Sequence, residues 1–176
     1  LDPGDTPEEN LQFLVFLTCV ISAVDDYQDL LRMSVASCGN DHRLGAHEAP
    51  PAIISIFLGD ELSDIIDALA EGHEAGHASR ESLDFGVAVL PTFDRDTTDR
   101  NRTSPFAFTG NKFEFRMPGS AVNVADANTM LDTAVAKALK DFADAMDERG
   151  DASFESAAIA YIRKSLAAHK RILFSG

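Results

Sequence analysis

Apolar residues recur at helical spacing along much of this chain. Between positions 11 and 31 they fall three and four residues apart, which predicts a long, buried helix. Thr6, Pro7 and Glu9 have the spacing of an N-cap, a first-turn proline and a capping-box acid, so we expect the helix to begin there. It should end near residues 34–37.

Three further helices and one buried strand are predicted downstream. Residues 61–70, 128–146 and 154–173 carry apolar positions at helical spacing. Residues 52–58 are short, apolar and partly β-branched, which is typical of a buried strand. Residues 38–51 are polar, contain glycines and end in two prolines, and this composition predicts a loop rather than a helix.

A β-hairpin is predicted around Gly110-Asn111. Phenylalanines alternate with other residues in 106–108 and again in 113–115, and a Gly-Asn pair between two such runs is typical of a hairpin turn. A two-residue loop would pair Phe106 with Phe115, Ala107 with Glu114 and Phe108 with Phe113.

This register gives the hairpin two different faces. All four phenylalanines would lie on one face, while Lys112, Glu114 and Arg116 project from the other, opposite the small Ala107. A carboxylate between two cations, with room for a ligand beside it, suits a binding site. A salt-bridge ladder on a solvated surface is the alternative interpretation.

Together these elements indicate the α+β class: a helix-rich fragment with short antiparallel strands. A length of 176 residues, 45% of them hydrophobic, suits one domain spanning 1–176 with a sizeable core.

Charge and cysteine content exclude several function classes. The net charge of −14 argues against a nucleic-acid partner, which needs a cationic surface. Cys19 and Cys38 lack metal-ligand spacing and favour free thiols in a reducing compartment. The sequence shows neither a signal peptide nor an apolar run of the ~20 residues that a membrane span needs. We therefore expect a soluble cytoplasmic protein without a membrane partner.

The string His73-Glu74-Ala75-Gly76-His77 matches the H-E-x-x-H pattern of zinc peptidases. That pattern binds zinc only on a helix held in a core. Here glycines bracket the string and no third ligand follows downstream. An exposed connector with incidental histidines is favoured over a zinc metallopeptidase.

Two polar segments precede the hairpin in sequence. One contains Arg43 and Glu48, and the other contains Arg102. Guanidinium groups suit carboxylates and phosphates, and carboxylates suit a divalent metal, so together with the polar face of the hairpin these residues fit the requirements of phosphoryl transfer.

Three motifs carry a family resemblance. GNDHRLGAHE (39–48) resembles the glutamine synthetase segment G-N-x-x-R-L-T-G-x-H-E-T. NRTSPFAF (101–108) resembles that family's N-R-x-A-S-I-R, and NKFEFR (111–116) resembles its (R/Y)-x-E-x-R strand. Their order also agrees. The sequence of residues 101–116, together with APPAI at residues 49–53, is most similar to the type III branch.

The resemblance implies an activity and a place in a longer protein. Glutamine synthetases make glutamine from glutamate, ammonia and ATP through a γ-glutamyl phosphate, with Mg²⁺ or Mn²⁺ in a site shared between the subunits of a homo-oligomer. Residues 1–176 resemble the C-terminal portion of the catalytic domain.

By the same resemblance, Glu114 is a metal ligand, Arg116 and Arg43 bind the substrate glutamate, and Lys112 lies beside the nucleotide. Two further residues have implied catalytic roles. Glu48 resembles the flap glutamate that helps to bind and deprotonate ammonium. Arg102 resembles the arginine that contacts the nucleotide and stabilises the transferring phosphoryl group.

The sequence also departs from the family pattern. Ala107 stands where the family has its second arginine, and the earlier metal-binding glutamates, the metal histidine and the N-terminal β-grasp domain have no counterpart here. We therefore expect no turnover by the 176 residues alone. A related ATP-dependent amine ligase and a non-catalytic assembly module remain as alternatives.

Overall fold

The computed structural model describes residues 2–46, 49–72, 82–83, 93–94 and 104–174. These contain six α-helices: α1 (Leu11–Asp26), α2 (Gln28–Ser34), α3 (Cys38–Arg43), α4 (Asp60–Ala70), α5 (Val124–Asp147) and α6 (Phe154–His169). The described strands are β1 (Ile56–Phe57), β2 (Ser82–Leu83), β3 (Phe93–Asp94), β4 (Phe106–Phe108) and β5 (Phe113–Phe115). The helix-rich α+β class is confirmed.

The first helix begins later than predicted. Pro7–Glu9 form a 3₁₀ turn, and the Thr6 side chain makes no capping hydrogen bond. Asn10 is the N-cap of α1 instead, because its side-chain oxygen accepts a hydrogen bond from the backbone N–H of Phe13 at 3.0 Å. Tyr27, with φ −117° and ψ 22°, then separates α1 from α2, so the predicted single helix is two helices that end at Ser34.

The prediction of a loop over 38–51 is wrong for its first part. Cys38–Arg43 form helix α3, and the hydroxyl of Ser37 caps it by accepting a hydrogen bond from the backbone N–H of Asn40. The other predicted helices are confirmed, with α5 beginning at Val124 and α6 ending at His169 before a 3₁₀ turn.

The larger sheet is mixed rather than purely antiparallel. Its strand order is β1-β4-β5, in which β1 runs parallel to β4 and β4 runs antiparallel to β5. The predicted strand at 52–58 is reduced to Ile56–Phe57. Separately, β2 and β3 form an antiparallel pair. The chain end joins this arrangement, since the backbone N–H of Phe174 donates to the carbonyl of Ile56 at 2.8 Å.

The core lies where α1 packs against α5 and α6. Helix α1 is apolar around most of its circumference and buries twelve of its sixteen residues, as its sequence predicts. The phenylalanine face of the β4–β5 hairpin closes one side of this core, with the rings of Phe13 and Phe108 5.9 Å apart. Among the helices that the structure describes, none has the length and apolar character that crossing a membrane requires.

Candidate functional site

The β4–β5 hairpin has the predicted register. Phe106, Ala107 and Phe108 pair with Phe115, Glu114 and Phe113. Thr109 donates its backbone N–H to the carbonyl of Lys112 at 2.8 Å, which closes a two-residue loop. Gly110 has φ +84°, a conformation that glycine adopts without the strain a side chain would add. The turn chemistry therefore fixes which side chains share a face.

One face of the hairpin is an aromatic cluster made of Phe106, Phe108, Phe113 and Phe115. Ring centroids lie 5.4 Å apart for Phe106 and Phe113, 5.9 Å for Phe106 and Phe115, and 5.1 Å for Phe108 and Phe113. These separations are typical of favourable aromatic pairs. The cluster holds the hairpin from behind and leaves the opposite face to polar side chains.

Glu114 is the centre of the polar face. One carboxylate oxygen accepts a hydrogen bond from the Thr109 hydroxyl at 3.4 Å, and the other lies 3.4 Å from Nε of Arg116. The side chain of Glu114 is 43% exposed, whereas that of Arg116 is 15% exposed. Lys112 is exposed on the same face. The carboxylate is thus oriented by two long contacts and remains open to solvent.

The expected space over Ala107 is not open to solvent. Ala107 is 0% exposed and lies between Phe57 of β1 and Glu114 of β5. Because β4 is the central strand of the described sheet, Ala107 is enclosed, whereas the Glu114 side chain on β5 is 43% exposed.

Helix α3 brings Arg43 to the same region. Its Nη2 donates to the backbone carbonyl of Met117 at 2.7 Å, and its Nε donates to Oδ1 of Asn40 at 3.0 Å. Met117 directly follows Arg116, so the structure places Arg43 against the end of the hairpin. Arg43 thereby contacts the backbone of the residue that follows Arg116, although the two arginines are far apart in sequence.

Two predicted site residues, Glu48 and Arg102, lie outside the described residues, as does the His73–His77 string. The described part of the predicted site is therefore the set Arg43, Lys112, Glu114 and Arg116.

Sequence reasoning missed an ion cluster at the C-terminal end of α1. The Asp25 side chain is 1% exposed and its carboxylate accepts from Nε of Arg171 at 3.1 and 3.0 Å. Nδ1 of His169 lies 2.9 Å from Asp25 and 3.7 Å from Asp26. His169 and Arg171 are 144 and 146 positions away from Asp25 in the sequence. The one sequence signal for a buried charge was the pair of acidic residues at the end of an apolar helix.

Asp25, Asp26 and His169 are close enough to hold a metal, since their ligand atoms lie within 4.8 Å of one another. Both carboxylate oxygens of the buried Asp25, however, already accept hydrogen bonds from Nε of Arg171 at 3.1 and 3.0 Å. The contacts fit a structural ion cluster that joins the chain end to α1.

We expect the Asp25→Asn substitution to destabilise the chain by about 1–3 kcal/mol, because it removes a buried carboxylate on which His169 and Arg171 depend. Urea unfolding followed by circular dichroism measures this change. Asp29→Asn, at an exposed position in the first turn of α2, is the control and should change stability by less than about 0.5 kcal/mol. Equal stabilities of the two variants would contradict the structural role of the cluster.

A polar cavity of about 80 Å³ lies between α1, α5 and α6. Within it, Lys137 pairs with Asp141, whose hydrogen bond raises the pKa of Lys137. Burial, followed by electrostatic interactions with Cys19 and Asp141, raises the pKa of Tyr161. Burial and then Asp141 raise the pKa of Cys19 to about 11. These three groups keep their protons at neutral pH, so none of them is a ready base.

The structure thus defines a class: a helix-rich α+β segment with a carboxylate-bearing hairpin strand beside two arginines. No family model matches the chain. Its whole length is 47% identical to a type-3 glutamine synthetase of Dictyostelium discoideum and 48% identical to a glutamine synthetase of Butyrivibrio fibrisolvens. A glutamine synthetase of Bacteroides fragilis is 42% identical over 99% of the chain.

These matches confirm the resemblance to glutamine synthetase, including its type-3 branch. The chain spans about a quarter of the length of each of these relatives, 24% in the first and 25% in the other two. This agrees with the expectation that the sequence corresponds to part of a longer chain.

Proposed function

We propose that this segment is the C-terminal portion of the catalytic domain of a glutamine synthetase-like ligase. The longer chain would join ammonia to glutamate and convert ATP to ADP and phosphate. The observation that carries the proposal is the contact of Arg43 with the carbonyl of Met117, two residues after β5, because it joins the first and the third of the motifs that resemble the family. The identity of 42–48% over nearly the whole chain supports it.

Glu114 is the proposed metal ligand. Carboxylate oxygens are ligands that Mg²⁺ and Mn²⁺ prefer, and the two contacts of Glu114, both at 3.4 Å, are long enough to yield to a cation. When bound, the metal would neutralise charge on the ATP phosphates. One carboxylate does not complete a coordination shell, so the other ligands would come from the rest of the longer chain.

Arg43 and Arg116 are the proposed binding groups for the glutamate substrate. A guanidinium group recognises a carboxylate through paired hydrogen bonds. The 15% exposure of Arg116 and its contact with Glu114 restrict its orientation, which reduces the entropy lost on binding. Arg43 is similarly held by its bonds to Asn40 and Met117.

The phosphoryl and ammonia steps are assigned to the remaining residues. In the proposed reaction the γ-carboxylate of glutamate attacks the γ-phosphorus of ATP and ADP leaves. Ammonia then attacks the acyl carbon and phosphate leaves. We assign Arg102 to the nucleotide and to charge on the transferring phosphoryl group, Lys112 to the nucleotide, and Glu48 to deprotonation of ammonium. Exclusion of water would protect the acyl phosphate from hydrolysis.

We infer a fold like that of the glutamine synthetase catalytic domain, a homo-oligomer in which subunits share the site, and a cytoplasmic location. Because Ala107 is enclosed in the central strand, the contact made by the family's second arginine would have to come from another part of the longer chain.

Glutamine formation measured on two proteins tests this proposal. We expect the longer protein that carries this segment to convert glutamate, ammonia and Mg-ATP to glutamine, ADP and phosphate. The 176-residue chain alone should have no γ-glutamyl transferase activity, because the other metal ligands are missing. Activity of the isolated chain, or a longer protein that uses neither glutamate nor ammonia, would refute the respective part of the proposal.

A further inference from the structure

The side-chain amide of Asn40 connects three segments of the chain. Asn40 is 4% exposed, and its Nδ2 donates to the carbonyl of Val35 at 2.8 Å and to that of Met117 at 3.0 Å. Its Oδ1 accepts from Nε of Arg43 at 3.0 Å. This amide therefore ties α3 both to the segment before it and to the residue that follows Arg116.

These contacts determine which edge of Arg43 is available. Nε is bonded to Asn40, and Nη2 is bonded to the carbonyl of Met117. That side of the guanidinium is therefore occupied. As far as the described residues are concerned, the opposite edge, formed by Nη1 and the second hydrogen of Nη2, offers two parallel donors, which is the geometry that a carboxylate accepts.

We infer that Asn40 is a positioning residue that holds Arg43 with its outer edge directed to the substrate carboxylate. The inference rests on the proposed function for the identity of that carboxylate. Asn40 itself touches no substrate. It acts by limiting the rotation of Arg43, so that the arginine is oriented before the ligand arrives.

Gly119 makes this arrangement possible from the other side. A Cβ atom at this position would lie 2.9 Å from Oδ1 of Asn40 and 3.8 Å from Nε of Arg43. A Cβ atom does not normally approach an oxygen atom as closely as 2.9 Å, so a side chain at position 119 would displace the Asn40 amide. Gly119 thus provides a second way to disturb Arg43, without changing either Arg43 or Asn40.

A purely structural role for Asn40 predicts a different outcome. If its amide only satisfied the carbonyls of Val35 and Met117, its loss would lower stability and affect all ligands alike. If it positions Arg43, its loss should weaken glutamate binding selectively. The effect should also vanish when Arg43 is already absent, because two residues that act through one contact are not additive.

The test uses the longer protein that carries this segment. Glutamate and Mg-ATP binding are measured by calorimetry, and KM values for both are measured where turnover occurs. We expect Asn40→Ala and Gly119→Ala to weaken glutamate binding by roughly ten- to hundredfold, because small misplacements of a binding group have effects of this size. Mg-ATP binding should change by less than about twofold. Asn40→Ala should add nothing in an Arg43→Ala background.

Gly39→Ala is the matched control, because a Cβ atom there meets nothing within 4 Å and α3 tolerates alanine. Equal losses for glutamate and ATP, or an additive double variant, would overturn the inference. The two proposals fail separately. A protein that binds glutamate through Arg43 and Asn40 but forms no glutamine would refute the proposed function alone. A glutamine-forming enzyme indifferent to Asn40→Ala would refute the inference alone.

Discussion

Glu114→Gln should lower glutamine formation by the longer enzyme at least roughly ten- to hundredfold at a fixed Mg²⁺ concentration, because even the loss of a residue that supports a metal ligand has an effect of this size. A neutral amide is a weaker ligand than a carboxylate for a hard divalent cation. The side chain keeps its shape and is 43% exposed, so the fold should be unaffected. A Mg²⁺ titration of the rate should show a higher half-saturating concentration.

The control for this substitution is Glu155→Gln. Glu155 is an exposed acidic residue in the first turn of α6. It carries the same chemical change away from the hairpin, so the rate and its Mg²⁺ dependence should stay as in the unaltered enzyme. If Glu114→Gln behaved like this control, Glu114 would not be a metal ligand, and its contact with Arg116 would be an ordinary surface ion pair.

The hairpin could be predicted from sequence because the information is local. Alternating phenylalanines fix the faces, and Gly110-Asn111 fix the register, so no distant residue was needed. The position of Glu114 and Arg116 in the candidate site follows from this hairpin. The motifs identified Glu114 and Arg116, and the register placed them on one face.

Helix α3 could not be predicted in the same way. Gly39, Asn40 and Asp41 are poor helix formers, and a segment of six residues is too short to be stable alone. The Ser37 cap and the bonds from Asn40 to Met117, 77 positions away, hold it instead. The Asp25 cluster could not be predicted from local sequence either, because the partners of Asp25 are His169 and Arg171.

The first helix shows the limit of local capping rules. Both Thr6 and Asn10 are suitable N-caps, and the sequence favoured Thr6 because a proline and an acid follow it. In the structure the Asn10 side chain also donates to the carbonyls of Asp2 and Pro3. These additional bonds anchor the N-terminal segment at Asn10, and they depend on a chain path that no capping pattern encodes.

Phe106→Ala should destabilise the chain by about 3–5 kcal/mol, the usual cost of removing a buried aromatic side chain. Phe106 is 1% exposed, and its ring stacks against Phe113 and lies tilted against Phe115. Removing it leaves a cavity under the central strand. The midpoint of thermal unfolding should fall by about 6–20 °C, given roughly 2–4 °C per kcal/mol for a chain of this size.

Phe154→Ala is the control that distinguishes the loss of a buried side chain from the loss of any aromatic ring. Phe154 is 50% exposed, and its ring lies 6.3 Å from that of Phe142, so its loss should cost less than about 1.5 kcal/mol. Comparable losses in the two variants would show that the hairpin is not supported by its phenylalanine face.

If instead Phe106→Ala alone is severely destabilised, the milder variant Phe106→Leu should retain the fold while weakening Mg²⁺ activation in the longer enzyme. That result would connect the packing behind the hairpin to the position of Glu114, which lies on the strand that Phe106 supports.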